Sequence, residues 1–399
     1  MNPSRFLAFV AAFLVPLLCL SVASGAAADP QPPAIDNLRA ADVSYQAEQK
    51  IADLQTAFID TSPIDLKDGI AVGELGTDAG RSSPIVAFAE EIARGEHGEV
   101  DSLLICQGGT LLFESYFRRG RLNYPHYQMS ITKSYTALAI GRAIQLGHLT
   151  MADLDRPIVS FFENLDGNVL TDGADRITLA QVMTMQSGIR IPDETSQLFR
   201  KNTEAVRGPL QVRALLQATK AIGPAPRPFK YQGTDPALTM QVLNAVVPDA
   251  AEQFIKTELL DRLGIMSYAW EDDISGLPKS AAGSSMRSRD MLKWGLLVAN
   301  NGTYKGRQLI PADFIEQATS PRCQTGKETS YGFFFWRHTA TVTDSPVDCI
   351  SCRGAGGQFI VLIPSHDLIA VVTAHNKGMG PMLQRLPQRL LAAFPETQR

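Results

Sequence analysis

Tyr127-Gln128-Met129-Ser130-Ile131-Thr132-Lys133-Ser134-Tyr135-Thr136-Ala137-Leu138-Ala139-Ile140-Gly141 sets a serine and a lysine three residues apart at the head of a long apolar run. From Ala137 to Leu146 only Gly141, Arg142 and Gln145 interrupt the apolar character, and Gly147-His148-Leu149 adds a glycine stop followed by a hydrophobic residue. The pattern predicts a largely buried helix. A separation of three on a helix puts the Ser130 hydroxyl and the Lys133 ammonium on one face. Ser130 would sit in the first turn, where unpaired N–H groups and the positive end of the helix dipole favour developing negative charge. Nucleophile, proton acceptor and anion-stabilising site would then meet at one point. An isolated Ser-x-x-Lys is also common by chance, and a serine at this position can be a plain N-cap. The rest of the chain decides between the two.

The 399 residues are 45% hydrophobic and 20% charged, which fits a globular protein with a sizeable core. With a net charge of -4 and no Lys/Arg block, nucleic acid is not an expected partner. Arg5 precedes an almost wholly apolar stretch, Phe6 to Val22, and Ala26-Ala27-Ala28 offers small residues before Asp29. Residues 1–28 therefore read as a signal peptide, which implies a periplasmic or secreted protein without a stable membrane anchor after cleavage. An oxidising compartment permits disulfides. Among Cys106, Cys323, Cys349 and Cys352, a bond from Cys323 to one of the last two is expected, with Cys106 a buried thiol. No His/Cys cluster has zinc spacing, so neither metal nor cofactor is expected.

Residues 29–84, rich in Ala, Asp, Pro and Gly, read as an arm over the surface with one amphipathic piece near Val43 to Phe58. Ile85 to Ala93 has helical periodicity. Ser102 to Cys106 and Thr110 to Phe117, joined at Gln107-Gly108-Gly109, read as a β-hairpin. Helical patterns dominate from Leu149 to Thr319. Within them Ile177 to Ser187 is a helix closed by Gly188, and Ala237 to Val247 is another. The polar stretch Gly188 to Pro228 reads as a long substrate-facing loop. Tyr331 to Trp336, Gln358 to Ile363 and Leu368 to Thr373 are strand-like, and Gly380 to Phe394 closes the chain as an amphipathic helix. Early and late strands imply one antiparallel sheet, in an α/β lobe of about 85–128 and 320–397, beside a helical lobe of about 129–319.

Ser130-Ile131-Thr132-Lys133, Tyr231-Gln232-Gly233 and Gly354-Ala355-Gly356-Gly357-Gln358 come in that order, with Thr184 to Gly188 and Ala282 to Asp290 as framework segments. Together, over roughly residues 85–397, they resemble the serine β-lactamase and penicillin-binding-protein superfamily. Within its class C and esterase-like branch the likeness is to serine hydrolases related to 6-aminohexanoate-dimer hydrolase. The resemblance implies an α+β fold of β-lactamase/transpeptidase type. It implies Ser130 as nucleophile, Lys133 and Tyr231 as proton carriers with the base open between them, and the N–H groups of Ser130 and Gln358 as oxyanion donors. Ala355, Gly356 and Gly357 would form the substrate-side strand. No Gly-x-Ser-x-Gly elbow occurs, so His126 is expected to be structural. Where penicillin-recognising members carry a Lys or His this chain has Ala355, and where they carry Asn or Ser it has Gly233. Arg353, two residues before Ala355, is the charge that could replace the missing lysine. The expected substrate is a small amide or ester; a β-lactam, a D-peptide, or no substrate at all in a binding or sensory relative are the alternatives.

Overall fold

Gly108 and Gly109 turn with φ of 55° and 83°, the left-handed pair that a two-residue hairpin needs. They join Val100–Gln107 to Thr110–Tyr116. The computed structural model describes residues 31–163, 165, 169–342 and 345–395, so the signal segment read over residues 1–28 lies outside the described residues.

In chain order the helices are α1 (Tyr45–Glu48), α2 (Ser82–Ala93), α3 (Ile131–Gln145), α4 (Leu179–Met183), α5 (Asp193–Lys201), α6 (Leu210–Ala218), α7 (Thr234–Val246), α8 (Ala251–Ile255), α9 (Asp261–Leu263), α10 (Ser288–Ala299), α11 (Ala312–Thr319) and α12 (Met382–Ala393). The strands are β1 (Phe58–Asp60), β2 (Ala71–Val72), β3 (Val100–Gln107), β4 (Thr110–Tyr116), β5 (His126–Tyr127), β6 (Tyr268–Trp270), β7 (Ser284–Met286), β8 (Thr303–Tyr304), β9 (Arg307–Gln308), β10 (Cys323–Gly326), β11 (Thr329–Tyr331), β12 (Trp336–Val342), β13 (Ser345–Gly354), β14 (Gln358–Ile363) and β15 (Leu368–Ala374).

The main sheet has the order β1-β4-β3-β15-β14-β13-β12-β11-β10, antiparallel along this path, and β2 joins β4 in parallel. Strand alternation sorts its side chains into two cores. Phe359, Val361 and Val372 pack with Phe88 and Ile92 of α2 and Leu386 and Leu390 of α12. Ile360, Leu362 and Val371 face the other way, toward Leu138 of α3 and Trp294 of α10. The α+β architecture read from the sequence is therefore present. Two buried ion pairs brace α10, one to the sheet and one within the helix. Arg289 grips Glu114 of β4 with two N–H groups at 2.9 and 2.6 Å, and Asp290 accepts from Lys293 at 2.9 Å.

Four expectations need correction. Residues 29–84 do not merely lie over the surface, because β1 and β2 extend the sheet at β4, and within the amphipathic piece read near Val43 to Phe58 the only α-helix is the short α1. The stretch Gly188 to Pro228 is not one loop but holds α5 and α6; α5 buries no residue, so it leaves no apolar stripe to read. Tyr331 to Trp336 is not a continuous strand. Gly332 N–H donates to Phe335 O at 2.9 Å and Phe334 takes a left-handed φ of 60°, a turn between β11 and β12 that drives three phenylalanines into the core. The fourth is the disulfide: all four cysteines described are free thiols. Three residues along one strand, Cys349 and Cys352 point to opposite cores, and Cys323 Sγ instead approaches the Thr184 carbonyl at 3.5 Å.

Candidate active site

The nucleophile position is built by the short strand β5. It pairs with β7, and Gln128 N–H then donates to Ser284 O at 2.8 Å, so the chain arrives at Ser130 on a fixed track. Met129 takes a left-handed φ of 51°, a strained state for a side-chain-bearing residue. Thr132 holds that bend by donating its hydroxyl to Met129 O at 2.7 Å. Ser130 is the N-cap of α3 rather than part of its first turn, with helical φ and ψ and a side chain that caps nothing. Its hydroxyl is thus free for other partners.

One turn on, Lys133 Nζ donates to Ser130 Oγ at 2.9 Å and to the carbonyl of Ala281 at 2.6 Å. Lys133 is 4% exposed and has no carboxylate partner among the described residues. Burial alone pushes its ammonium down to about 7. Tyr231 comes from the extended segment before α7, and its ring centroid lies 4.7 Å from Lys133 Nζ. Although Tyr231 is 40% exposed as a whole, its hydroxyl end is enclosed. Burial there raises its pKa, while the hydrogen bond with Ser130 and the charge of Arg353 act in the opposite sense. Ser130, Lys133 and Tyr231 therefore stand together as the sequence reading expected.

The end of β13 reaches this point because residue 354 is glycine. A Cβ there would collide with the carbonyl oxygen of Gln128, so Gly354 lets the strand close on the loop before Ser130. In the following turn Gly356 N–H is committed to Gly378 O and Gly357 N–H to Gly354 O. Ala355 N–H, like Ser130 N–H, has no acceptor among the described residues. Gln358 opens β14 opposite Gly354, and its side chain is spent on both backbone groups of Ala374. Ala355 is therefore a candidate donor besides Gln358, and its N–H could not be singled out without knowing where the turn bonds run. Gly233 rests against Ala281, 3.5 Å from its Cβ for a Cβ built at Gly233, and presents no polar group.

Arg353 does not replace the missing lysine. Its Nε donates to Ser351 Oγ at 2.8 Å and its guanidinium lies over Trp336, 4.9 Å from the ring centroid. The cleft wall beside the nucleophile is aromatic. Trp336 sits 5.6 Å from the Tyr231 ring and 5.9 Å from that of Phe229, with Tyr331 behind them.

Sequence reasoning missed Asp235, in the first turn of α7. It is fully buried and accepts at one oxygen from Ser187 Oγ and Gln232 Nε2, both at 2.7 Å, while the other oxygen has no partner. Burial pushes its carboxyl up to about 7. It fastens the Tyr231-Gln232 segment to the turn after α4. An acid at a helix start ordinarily reads as an exposed partner of the dipole, so the only signal was its place four residues after Tyr231.

His126 is buried with Nδ1 3.0 Å from Glu48 and makes no contact with Ser130. With Asp101 these two form the one described group with metal-ligating atoms in reach of one another. Their oxygens are already engaged: Glu48 also accepts from Tyr127 N–H, and Asp101 accepts from Arg119 N–H and pairs with His375. Among the described residues no helix is long and apolar enough to cross a membrane.

A serine in hydrogen-bond contact with a buried lysine at a helix start, beside a tyrosine and a glycine-rich strand turn, is an arrangement that serine acyl transfer would require. The family model described as Beta-lactamase matches residues 91–394, and the chain belongs to that family of β-lactamase-like serine hydrolases. Among solved structures it is similar to a putative 6-aminohexanoate-dimer hydrolase from Bacillus anthracis. That match has a TM-score of 0.63 at 16% identity and covers 90% of this chain and 94% of the other. A penicillin-binding protein homologue from Caulobacter crescentus matches with a TM-score of 0.60 at 17% identity, covering 78% of this chain and 96% of the other. A class C β-lactamase in complex with cefoxitin gives 0.60 at 16%, with 78% and 98% covered. No curated protein matches significantly by sequence. At these identities the structural likeness speaks for the fold.

Proposed function

We propose that the protein is a periplasmic or secreted serine hydrolase that cleaves small amide or ester bonds through an acyl-enzyme on Ser130. The observation that carries this reading is the 2.9 Å contact between Ser130 Oγ and a lysine whose pKa is lowered to about 7. Neutral Lys133 accepts the hydroxyl proton as the Oγ–carbonyl carbon bond forms. Tyr231 is held above its ordinary value and serves at neutral pH as a proton relay to the leaving group rather than as the first base. The tetrahedral oxyanion faces Ser130 N–H and a donor of the turn that holds Ala355 and leads to Gln358. The leaving amine or alcohol departs with the relayed proton. Water then adds to the ester and the same groups run in reverse.

The missing anchor shapes the substrate. With Ala355 and Gly233 at the cleft and Arg353 turned onto Trp336, no cation is presented to a substrate carboxylate. The aromatic wall favours an uncharged, flat or aliphatic group. Two similar structures, a putative 6-aminohexanoate-dimer hydrolase and a class C β-lactamase, are named for hydrolytic activity. The decisive experiment is mass spectrometry after brief exposure to a fluorophosphonate and to a panel of activated esters, linear amides and a chromogenic cephalosporin. Ser130 should carry the adduct, Ser130→Ala should carry none, and esters or amides should turn over faster than the cephalosporin. An unlabelled Ser130 in the folded protein would leave a silent binding relative. Fast cephalosporin turnover would restore the β-lactamase reading.

A further inference from the structure

Side chains alternate along β13, so Arg353 leaves the α3 side, where Cys352 packs, and points to the face covered by α12. There it lines a cavity of about 340 Å³ with His338 and Thr339 of β12, Gln384 and Gln388 of α12, and Glu328 at the exposed rim. Such a volume is at the small end of ligand sites.

Three arginines of the frame are neutralised, Arg289 by Glu114, Arg287 by Asp290 and Arg142 by Glu258, whereas Arg353, like Arg227, is not. Arg353 has no carboxylate within ion-pair reach among the described residues. Its charge is partly desolvated, which pushes the guanidinium down to about 10, and only weak influences from Cys349, Tyr331 and Tyr231 oppose that. A half-buried cation without a counter-ion carries an uncompensated desolvation cost.

Its neighbours do not supply the missing charge. Arg353 Nη2 lies 2.9 Å from His338 Nδ1, and since a guanidinium can only donate, Nδ1 must accept and the ring proton sits on Nε2. Burial and the arginine both hold His338 down, at about 4, so the ring is neutral. Its Nε2 is buried with no acceptor. No described group accepts from Arg353 Nη1. Around Arg353 the cavity thus offers N–H donors and the guanidinium charge, with hydroxyl and amide groups beside it and the only carboxylate among the lining residues, Glu328, at the exposed rim.

We propose that this cavity is an anion-binding site, in which the Arg353 fork takes the carboxylate or phosphate of a small polar solute. The two ligand chemistries share a planar pair of acceptor oxygens that matches the guanidinium edge. The site lies on the face of the sheet away from α3 and does not depend on the acyl-transfer reading. A bound anion would cancel a charge that Tyr231 senses past Trp336, so occupancy would be felt at the cleft.

The test is calorimetric titration of the full folded chain with inorganic phosphate and, separately, with propionate at constant ionic strength, with chloride as control. One saturable site with a dissociation constant on the order of millimolar or tighter is expected for at least one of the two, and none for chloride. Preference for phosphate assigns phosphorylated solutes; preference for propionate assigns carboxylates. Arg353→Gln should weaken binding at least about tenfold. Gln384→Glu places a carboxylate in the cavity and should weaken it similarly by supplying an internal counter-ion, and it decides alone if Arg353→Gln does not fold. No saturation by either anion up to about 50 mM, or binding unchanged in the folded variants, overturns the proposal.

Discussion

Lys133 and Lys293 are both buried lysines that donate to one side-chain oxygen and one backbone carbonyl. Lys293 uses Asp290 at 2.9 Å and Gly264 O at 2.8 Å; Lys133 uses Ser130 at 2.9 Å and Ala281 O at 2.6 Å. The geometry is nearly the same, and the difference is the charge on the side-chain oxygen. Lys293 faces a carboxylate, whereas Lys133 faces a neutral hydroxyl that leaves it to the desolvation bringing it to about 7. The same contrast separates Asp290, gripped by Arg287 and Lys293, from Asp235, which has only neutral donors. Between these two lysines and these two acids, the members without a counter-charge, Lys133 and Asp235, lie at or beside the cleft, and the paired members belong to the frame.

The contrast can be broken directly. Lys133→Met should lower kcat/KM by about 10³-fold or more, while leaving the melting temperature unchanged or higher, because it removes an unpaired buried amine. Lys293→Met should do the reverse, costing about 3–5 kcal/mol by stranding Asp290, with kcat/KM of the folded fraction little changed. In the native enzyme kcat/KM should fall about tenfold per pH unit below pH 7, since protonation of Lys133 removes the base. A flat profile from pH 5 to 8 would remove Lys133 from that role.

A smaller effect sharpens the anion-stabilising side. Ala355→Pro deletes one N–H and should reduce kcat by about 10²–10³-fold if Ala355 is the second donor, with circular dichroism confirming the fold. Retention of activity would return the role to Gln358.

The smallest effect concerns stability. The folded pKa of Asp235 is raised above its unfolded value of 3.8 to about 7, so its contribution is complete below about pH 4 and is lost as pH rises to 7. Asp235→Asn keeps an oxygen for Ser187 and Gln232 and cannot ionise. Urea melts at pH 5 and pH 8 should show a loss on the order of 2 kcal/mol for the native protein and little for the variant. Equal losses in both would refute the buried-acid account.

What the sequence made legible was local and periodic. The α3 run, the Gly108-Gly109 turn and the β14–β15 hairpin each carry their pattern within a few residues. That Ser130, Lys133 and Tyr231 would lie together followed from motif order. What it concealed depended on burial that only tertiary contacts create. Asp235 looks like any acid at a helix start until its surroundings are known. Phe333-Phe334-Phe335 has strand composition, yet it is buried by a turn. Helix α5 fully buries no residue and sets only Phe199 against the core, so its apolar side is too narrow to stand out in the sequence. The disulfide expected from Cys323 to Cys349 or Cys352 is absent, because β10 lies three strands from β13 and the pleat sends Cys349 and Cys352 to opposite sides.

The position of β15 has a consequence for how the molecule is made. It lies between β3 and β14, and its register sets Leu368 against Gln107 and Ile363. A ribosome that has released residues 1–367 has thus produced an early hairpin and a late hairpin with facing bare edges and no strand to join them. The turn after Gly354 belongs to the late half and the loop before Ser130 follows the early half. The two can be held in register only after residues 368–374 emerge, so the loop before Ser130 and the turn after Gly354 meet late in synthesis, and a chain cut short before β15 exposes two strands open to pairing with other chains.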